Sequence, residues 1–277
     1  MAGFRQRTEG ATINFQFLEF QHTPPLAKVI LSAPLESNRI NGVMAEEIRL
    51  VCQTIAEDDT LGLAVFTGSG GFFSVGREVP DLGSRAGSQI GPQVSSLETW
   101  INQHQVAAAV ASLAVPVLVV INGDALDHGL ELALAGDVRI AAQEARFGLT
   151  DVHLGTLPWD GGTQRLPRLV GPAWARDMIL TGRTIDAFQA LAIGLVNQVE
   201  PKGNLAAAAD KIAQDLVSGG PIAARYAKEA LVKGLDLTLS QGLGLEADLN
   251  VILQSAADRA EGIRSFKERR PPRFSGS

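Results

Sequence analysis

From Val115 to Ile121 the chain is apolar throughout and rich in β-branched residues, the pattern of a strand buried on both faces. A polar, glycine-containing turn follows, and then Leu130, Leu132, Ala133, Leu134 and Ala135 cover every side of a helix expected over Leu130 to Gly136. A helix apolar all round is buried, yet this one carries an acid, Glu131. Taking a carboxylate out of water costs several kcal/mol unless it is paired, protonated or open to a cavity, in order-of-magnitude terms. Glu131 therefore has either a partner, as a capping or salt-bridged carboxylate, or a chemical role. The free N-H groups at the start of the same helix add donors suited to an oxyanion.

The flanking pattern alternates strands and helices. Ile13, Phe15 and Phe17 alternate with polar residues and, with Ala27 to Leu31, predict two strands about a His22 to Pro25 turn. Met44, Ile48, Val51 and Ile55 give helical spacing over Val43 to Ile55, and Leu61 to Thr67 returns to strand. Gly68 to Gly71 is a turn without the Gly-Lys-Ser/Thr ending of a phosphate loop, and Arg77 to Gln93 reads as a surface loop. Ser95 to Leu113 predicts one helix and Val138 to Ala141 a short strand. The stretch Thr156 to Thr163 is turn-rich, carries Trp159 and Asp160 at its tip, and is a second candidate site. From Thr163 onward the periodicity is helical.

Composition narrows the function. A 45% hydrophobic content over 277 residues suits a folded α/β protein, and a net charge of -6 without a basic stripe argues against nucleic acid. Cys52 is the single cysteine, so neither a disulfide framework nor a thiolate metal site is expected, and a reducing cytoplasm fits. The first ten residues are polar and no apolar run reaches membrane-spanning length, so neither export nor membrane insertion is expected. His128-x-x-Glu131 on a helix face and Asp151-x-His153 on a strand face have spacings open to metal ligation, but a catalytic zinc site needs three convergent ligands.

Three blocks resemble the enoyl-CoA hydratase/isomerase (crotonase) superfamily: Phe73-Ser-Val-Gly-Arg-Glu-Val79; Val115 to Ala142, with its Asn122-Gly-Asp-Ala-Leu-Asp-His-Gly-Leu-Glu-Leu-Ala133 core; and Phe147 to Gly171, ending Gly161-Gly-Thr-Gln-Arg-Leu-Pro-Arg-Leu-Val-Gly171. Weaker similarity runs through Leu180 to Arg183, Ala227 to Ala230 and Glu261 to Phe266. The resemblance implies an α/β spiral of ββα units over residues 1–204 and a helical C-terminal region, 205–277, that builds a trimer or a dimer of trimers. It also implies an acyl-CoA thioester as substrate, with no metal or other cofactor. By position it places the oxyanion-holding N-H groups on Val75 and His128, the paired carboxylates on Glu131 and Asp151, and CoA contacts on Phe266 and Arg269.

Departures from the family pattern lie at Asp127 and His128 in place of glycines, Arg77 in place of a small residue, and Asp151 in place of a glutamate. Trp159-Asp160 replaces a Gly-Ala pair, and Asp160 falls where some relatives carry a functional aspartate. These departures suggest a pocket lined by Arg77 and Trp159 and suited to a bulky or cyclic acyl group. Hydration or isomerisation of an enoyl-CoA is the expected chemistry. The alternatives are a hydrolase or C–C bond-cleaving enzyme using Asp160, and a CoA-binding protein without catalysis.

Overall fold

The computed structural model describes residues 11–76 and 98–277. Arg77 and the Arg77 to Gln93 loop fall outside them. Strands β1 (Ala11–Asn14), β2 (Leu18–Thr23) and β3 (Leu26–Leu31) form an antiparallel meander. The expected opening hairpin thus has three strands, and His22 and Thr23 lie within β2, leaving the tight turn to Pro24-Pro25.

Helix α1 (Gly42–Ala56) leads to β4 (Leu63–Gly68) and β5 (Phe72–Val75). Helices α2 (98–104) and α3 (Ala107–Ala111) precede β6 (Val117–Ile121), β7 (Asp124–Leu126) and α4 (His128–Ala133). Next come β8 (Val138–Ala142), β9 (Arg146–Gly148) and α5 (Gly162–Thr181). β10 (Ile185–Asp186), α6 (Ala187–Ala192) and β11 (Gln198–Glu200) complete the strands. Helices α7 (Leu205–Val217), α8 (Pro221–Gly234), α9 (Leu239–Leu253) and α10 (Ala257–Glu268) end the chain.

Each strand pair divides itself between two sheets. In β4/β5, β6/β7 and β8/β9 the first strand joins a seven-stranded sheet ordered β1-β2-β3-β4-β6-β8-β11 and the second a four-stranded sheet ordered β10-β9-β7-β5; in β10/β11 the order is reversed. Chain segments thus wind as successive ββα turns, and parallel pairing carries β3 through β11 and β5 through β9. Period-two alternation makes the large sheet two-faced. Ala64, Phe66, Val117, Val119 and Ile121 join the main core, whereas Leu63, Val65, Leu118, Val120 and Ile140 face Leu205, Ala209 and Ala213 of α7.

The turns between sheets are held by asparagines. Asn122 accepts from the Gly68 N-H at 3.0 Å and donates to the Phe72 carbonyl at 3.1 Å, tying adjacent turns of the spiral together. Asn38, fully buried, accepts from Ala33 N-H and donates to the Ser69 and Phe72 carbonyls, each at 2.9 Å. Gly129 is required where α4 meets β5, because a Cβ there would sit 2.1 Å from the Ser74 carbonyl oxygen.

The expected Ser95 to Leu113 helix is broken. Residues 105 and 106 leave the helical path, and the Asp160 carboxylate accepts the Val106 and Ala107 N-H groups at 2.8 and 2.9 Å, starting α3 afresh. After β9 the chain turns into a 3-10 segment, Asp151–Leu154, instead of continuing as a strand. Asp151 and His153 therefore do not share a strand face: Asp151 is buried and His153 is exposed.

Candidate active site

The site is assembled where α4 begins. Asp127, just before it, has φ 52° and ψ -120°, a conformation that strains a residue with a Cβ. Its side chain offsets the strain by accepting from the Thr150 N-H at 2.7 Å and the Thr150 hydroxyl at 2.8 Å, while its own N-H donates to the Gly148 carbonyl. An aspartate is thereby fixed at a position where glycine is the expected residue, and the start of α4 is tied to the residue preceding Asp151.

Glu131 is 1% exposed. Its Oε1 accepts the Asp160 N-H at 2.8 Å and the Gly162 N-H at 2.9 Å, and no described residue donates to Oε2. The partner sought for a buried acid is thus the backbone of the turn before α5. That turn is braced from both sides: Arg165 donates to the Asp160 carbonyl at 2.8 Å and Gln105 to the Trp159 carbonyl at 3.0 Å. Burial pushes the Glu131 carboxyl above the usual carboxylate range, against the opposing pull of His128 and of the two N-H bonds.

His128 and Asp160 make a second buried pair, His128 Nε2 to Asp160 Oδ2 at 3.1 Å, with side-chain exposures of 1% and 3%. The Trp159 ring lies 4.5 Å from the His128 ring and 5.2 Å from that of Trp100, which stacks on His104 at 4.0 Å. Asp151 is as buried as Glu131, at 1% exposed. His128, Glu131, Trp159 and Asp160, read from the sequence as parts of two candidate sites, lie together, with Val106, Ala107, Gln105 and Arg165 bonded to the same turn.

Val75 requires a correction. Its N-H donates to the Ser37 carbonyl at 3.0 Å, so it is spent on holding β5 to the loop before α1 and is not the oxyanion donor expected from the resemblance. The His128 N-H stands at the first position of α4, where the helix itself supplies no acceptor. Phe266 is 85% exposed on α10, and Arg269 caps that helix with φ 53°. Beside them Arg270 grips Glu261 through two bonds, 2.6 and 3.0 Å, which hold that carboxyl down at about 2. Among the described residues no group of three or more His, Cys, Asp or Glu is placed to hold a metal ion, and no helix is long and apolar enough to cross a membrane.

A two-sheet spiral enclosing a buried acid, fixed by backbone donors at the start of an apolar helix, defines a distinct structural class. Residues 22–277 match the family described as Enoyl-CoA hydratase/isomerase. The crystal structure of enoyl-CoA hydratase from Bacillus anthracis superposes with a TM-score of 0.85 at 38% identity, covering 95% of this chain and all of that one, 100%. Rat mitochondrial methylglutaconyl-CoA hydratase is 40% identical over 210 residues, 74% of this chain and 65% of that enzyme, so the match spans slightly less than two thirds of the relative's length. The 2,3-dehydroadipyl-CoA hydratase of Escherichia coli K12 is 34% identical over 248 residues, 89% of this chain and 93% of that enzyme. The chain belongs to the enoyl-CoA hydratase/isomerase family.

Proposed function

We propose that this chain is an enoyl-CoA hydratase, adding water across the double bond conjugated to a CoA thioester. The observation that carries the reading is the asymmetry of Glu131: one carboxylate oxygen is fixed by two N-H donors and the other is left to meet a water molecule. Ionised Glu131 takes a proton from that water as its oxygen bonds to the β-carbon. The double-bond electrons move toward the thioester oxygen, which the His128 N-H holds, and Asp151 returns a proton to the α-carbon. Only protons and water move, so CoA enters as part of the substrate and no further cofactor takes part. Trp159 serves as a wall of the acyl pocket, consistent with its place against His128. The names of the rat and Escherichia coli relatives, both hydratases of acyl-CoA compounds, support the same chemistry.

The test is a panel of enoyl-CoA thioesters followed by loss of conjugated-thioester absorbance. Turnover of at least one member at about 1 to 10³ s⁻¹ is expected. Binding of CoA ligands with no turnover of any member would replace the enzyme with a binding protein.

The same proposal includes assembly through residues 205–277 into a trimer or a dimer of trimers in a reducing compartment, the cytoplasm. Leu231, Leu235, Leu239 and Leu243 are 73%, 78%, 80% and 56% exposed and line a groove of about 570 Å³ between α8 and α9. So much exposed leucine suits an interface between copies. In this reading Phe266 and Arg269 meet the adenine and phosphate end of CoA; their exposure at the end of α10 supports it, Arg being suited to phosphate. Light scattering at micromolar concentration should give three or six times the 29.3 kDa chain mass, and a monomer would refute the assembly.

A further inference from the structure

We propose that the His128 imidazole is a specificity-determining group that hydrogen-bonds, through Nδ1, to a hydroxyl substituent on the acyl chain, and that Asp160 is the residue that positions it. The inference rests on the hydratase reading and names the substrate class that reading leaves open. Asp160 Oδ2 already accepts two backbone N-H groups, so the bond to His128 is donated by the imidazole and Nε2 carries a proton. The ring is thereby fixed in one orientation, with Trp159 against it. Its other nitrogen, Nδ1, is buried and has no hydrogen-bond partner among the described residues.

A buried ring nitrogen left without a partner is a standing penalty that a ligand atom can remove. Four covalent bonds join Nδ1 to the backbone nitrogen of His128, which keeps the two within about 5 Å in any rotamer. A thioester oxygen held by the His128 N-H therefore brings the reacting carbons and their first substituents to the neighbourhood of Nδ1. Near-complete burial does not set His128 apart from the reaction, because Glu131 and Asp151 are equally buried, at 1%. The charge of the substituent follows from the neighbours. Asp160 is hydrogen-bonded to the imidazole and Glu131 lies near enough to couple to its charge, so a further carboxylate is disfavoured and a hydroxyl, which can donate to a ring nitrogen carrying no proton, is preferred.

Three thioesters that differ only at carbon 4 decide the matter: crotonyl-CoA with a methyl, 4-hydroxycrotonyl-CoA with a hydroxymethyl, and the mono-CoA thioester of fumarate with a carboxylate. The wild-type enzyme should favour the hydroxylated substrate over crotonyl-CoA by about 10- to 100-fold in kcat/KM, the discrimination typical of one buried polar contact. His128→Leu should bring that ratio to about one, and Asp160→Asn should leave an intermediate ratio. His128→Asn, which retains a polar atom near the Nδ1 position, should restore part of the ratio and stands in if the leucine variant does not fold. A wild-type ratio near one, a ratio unmoved by His128→Leu, or a preference for the carboxylate would each overturn the proposal. An equal loss on all three thioesters would also overturn it, placing the imidazole in the thioester chemistry common to them. Failure of the wild-type enzyme to turn over any of the three or any other enoyl-CoA would instead count against the hydratase reading beneath it.

Discussion

Replacing Glu131 by glutamine should lower kcat by about 10²- to 10⁴-fold while leaving affinity for CoA ligands nearly unchanged. Glutamine keeps an acceptor oxygen at Oε1, so the bonds from the Asp160 and Gly162 N-H groups survive and the turn before α5 keeps its place. What disappears is the basic oxygen. The same substitution should stabilise the fold at neutral pH. Burial raises the Glu131 pKa in the folded protein, so the protonated acid favours the native state, and that contribution is lost as pH rises through the raised value. An amide never ionises, so the gain in thermal midpoint over wild type should appear above that pH and vanish in acid. The wild-type rate reports the identical titration in the other direction. Its acid limb should lie above the ordinary carboxylate value of 4.5, with activity rising with pH as Glu131 ionises. More than about a tenth of wild-type turnover in Glu131→Gln would remove Glu131 from the role of base.

The elements with strong periodicity were legible in the sequence for a physical reason: β4, β6 and β8 carry their own two-faced or fully apolar pattern, and α4 is apolar on every side. Glu131 stood out because an acid in such a helix violates that pattern. Its partners were not legible, because they are backbone N-H groups of residues 160 and 162, which any side chain would provide. The same holds for Val75, whose motif suggested a free donor and whose N-H is spent on Ser37. β5, β7 and β9 are three or four residues long, too short to show a period; Asn122 and Asn38 pin the turns beside β5 and β7, and Asp124 accepts the Arg146 N-H at the start of β9. The break between α2 and α3 has a comparable origin: the carboxylate that starts α3 comes from Asp160, more than fifty residues away. Local pattern extends a helix across that point, and a tertiary contact ends it. Asp127 and His128 read as departures from a glycine pattern, and each has a distinct partner, Thr150 for the first and Asp160 for the second.

Asp151 and Asp160 should separate cleanly when each is converted to asparagine and the reaction is run in ¹⁸O-labelled water. Asp160 spends Oδ2 on Val106, Ala107 and His128 and offers its N-H to Glu131. An asparagine oxygen accepts the same three donors, and the backbone N-H is unaffected, so Asp160→Asn should cost less than about tenfold in the hydration of crotonyl-CoA. Asp151 is the proton donor to the α-carbon in the proposed reaction, and an amide cannot hand over that proton. Asp151→Asn should therefore cost about 10²-fold or more, the usual size of one general acid. Its side chain is one methylene shorter than glutamate, so the wild-type enzyme itself depends on close placement of the acyl chain, and misplacement by about 1 Å is worth about 10²-fold. In the wild-type reaction the label should appear in the hydroxyl of the product alcohol, and Asp151→Asn should suppress it. Label in a released carboxylate, suppressed by Asp160→Asn and not by Asp151→Asn, would mean that Asp160 drives thioester hydrolysis. The contacts that bind its Oδ2 would then be those of a held nucleophile, and the hydratase reading would fall.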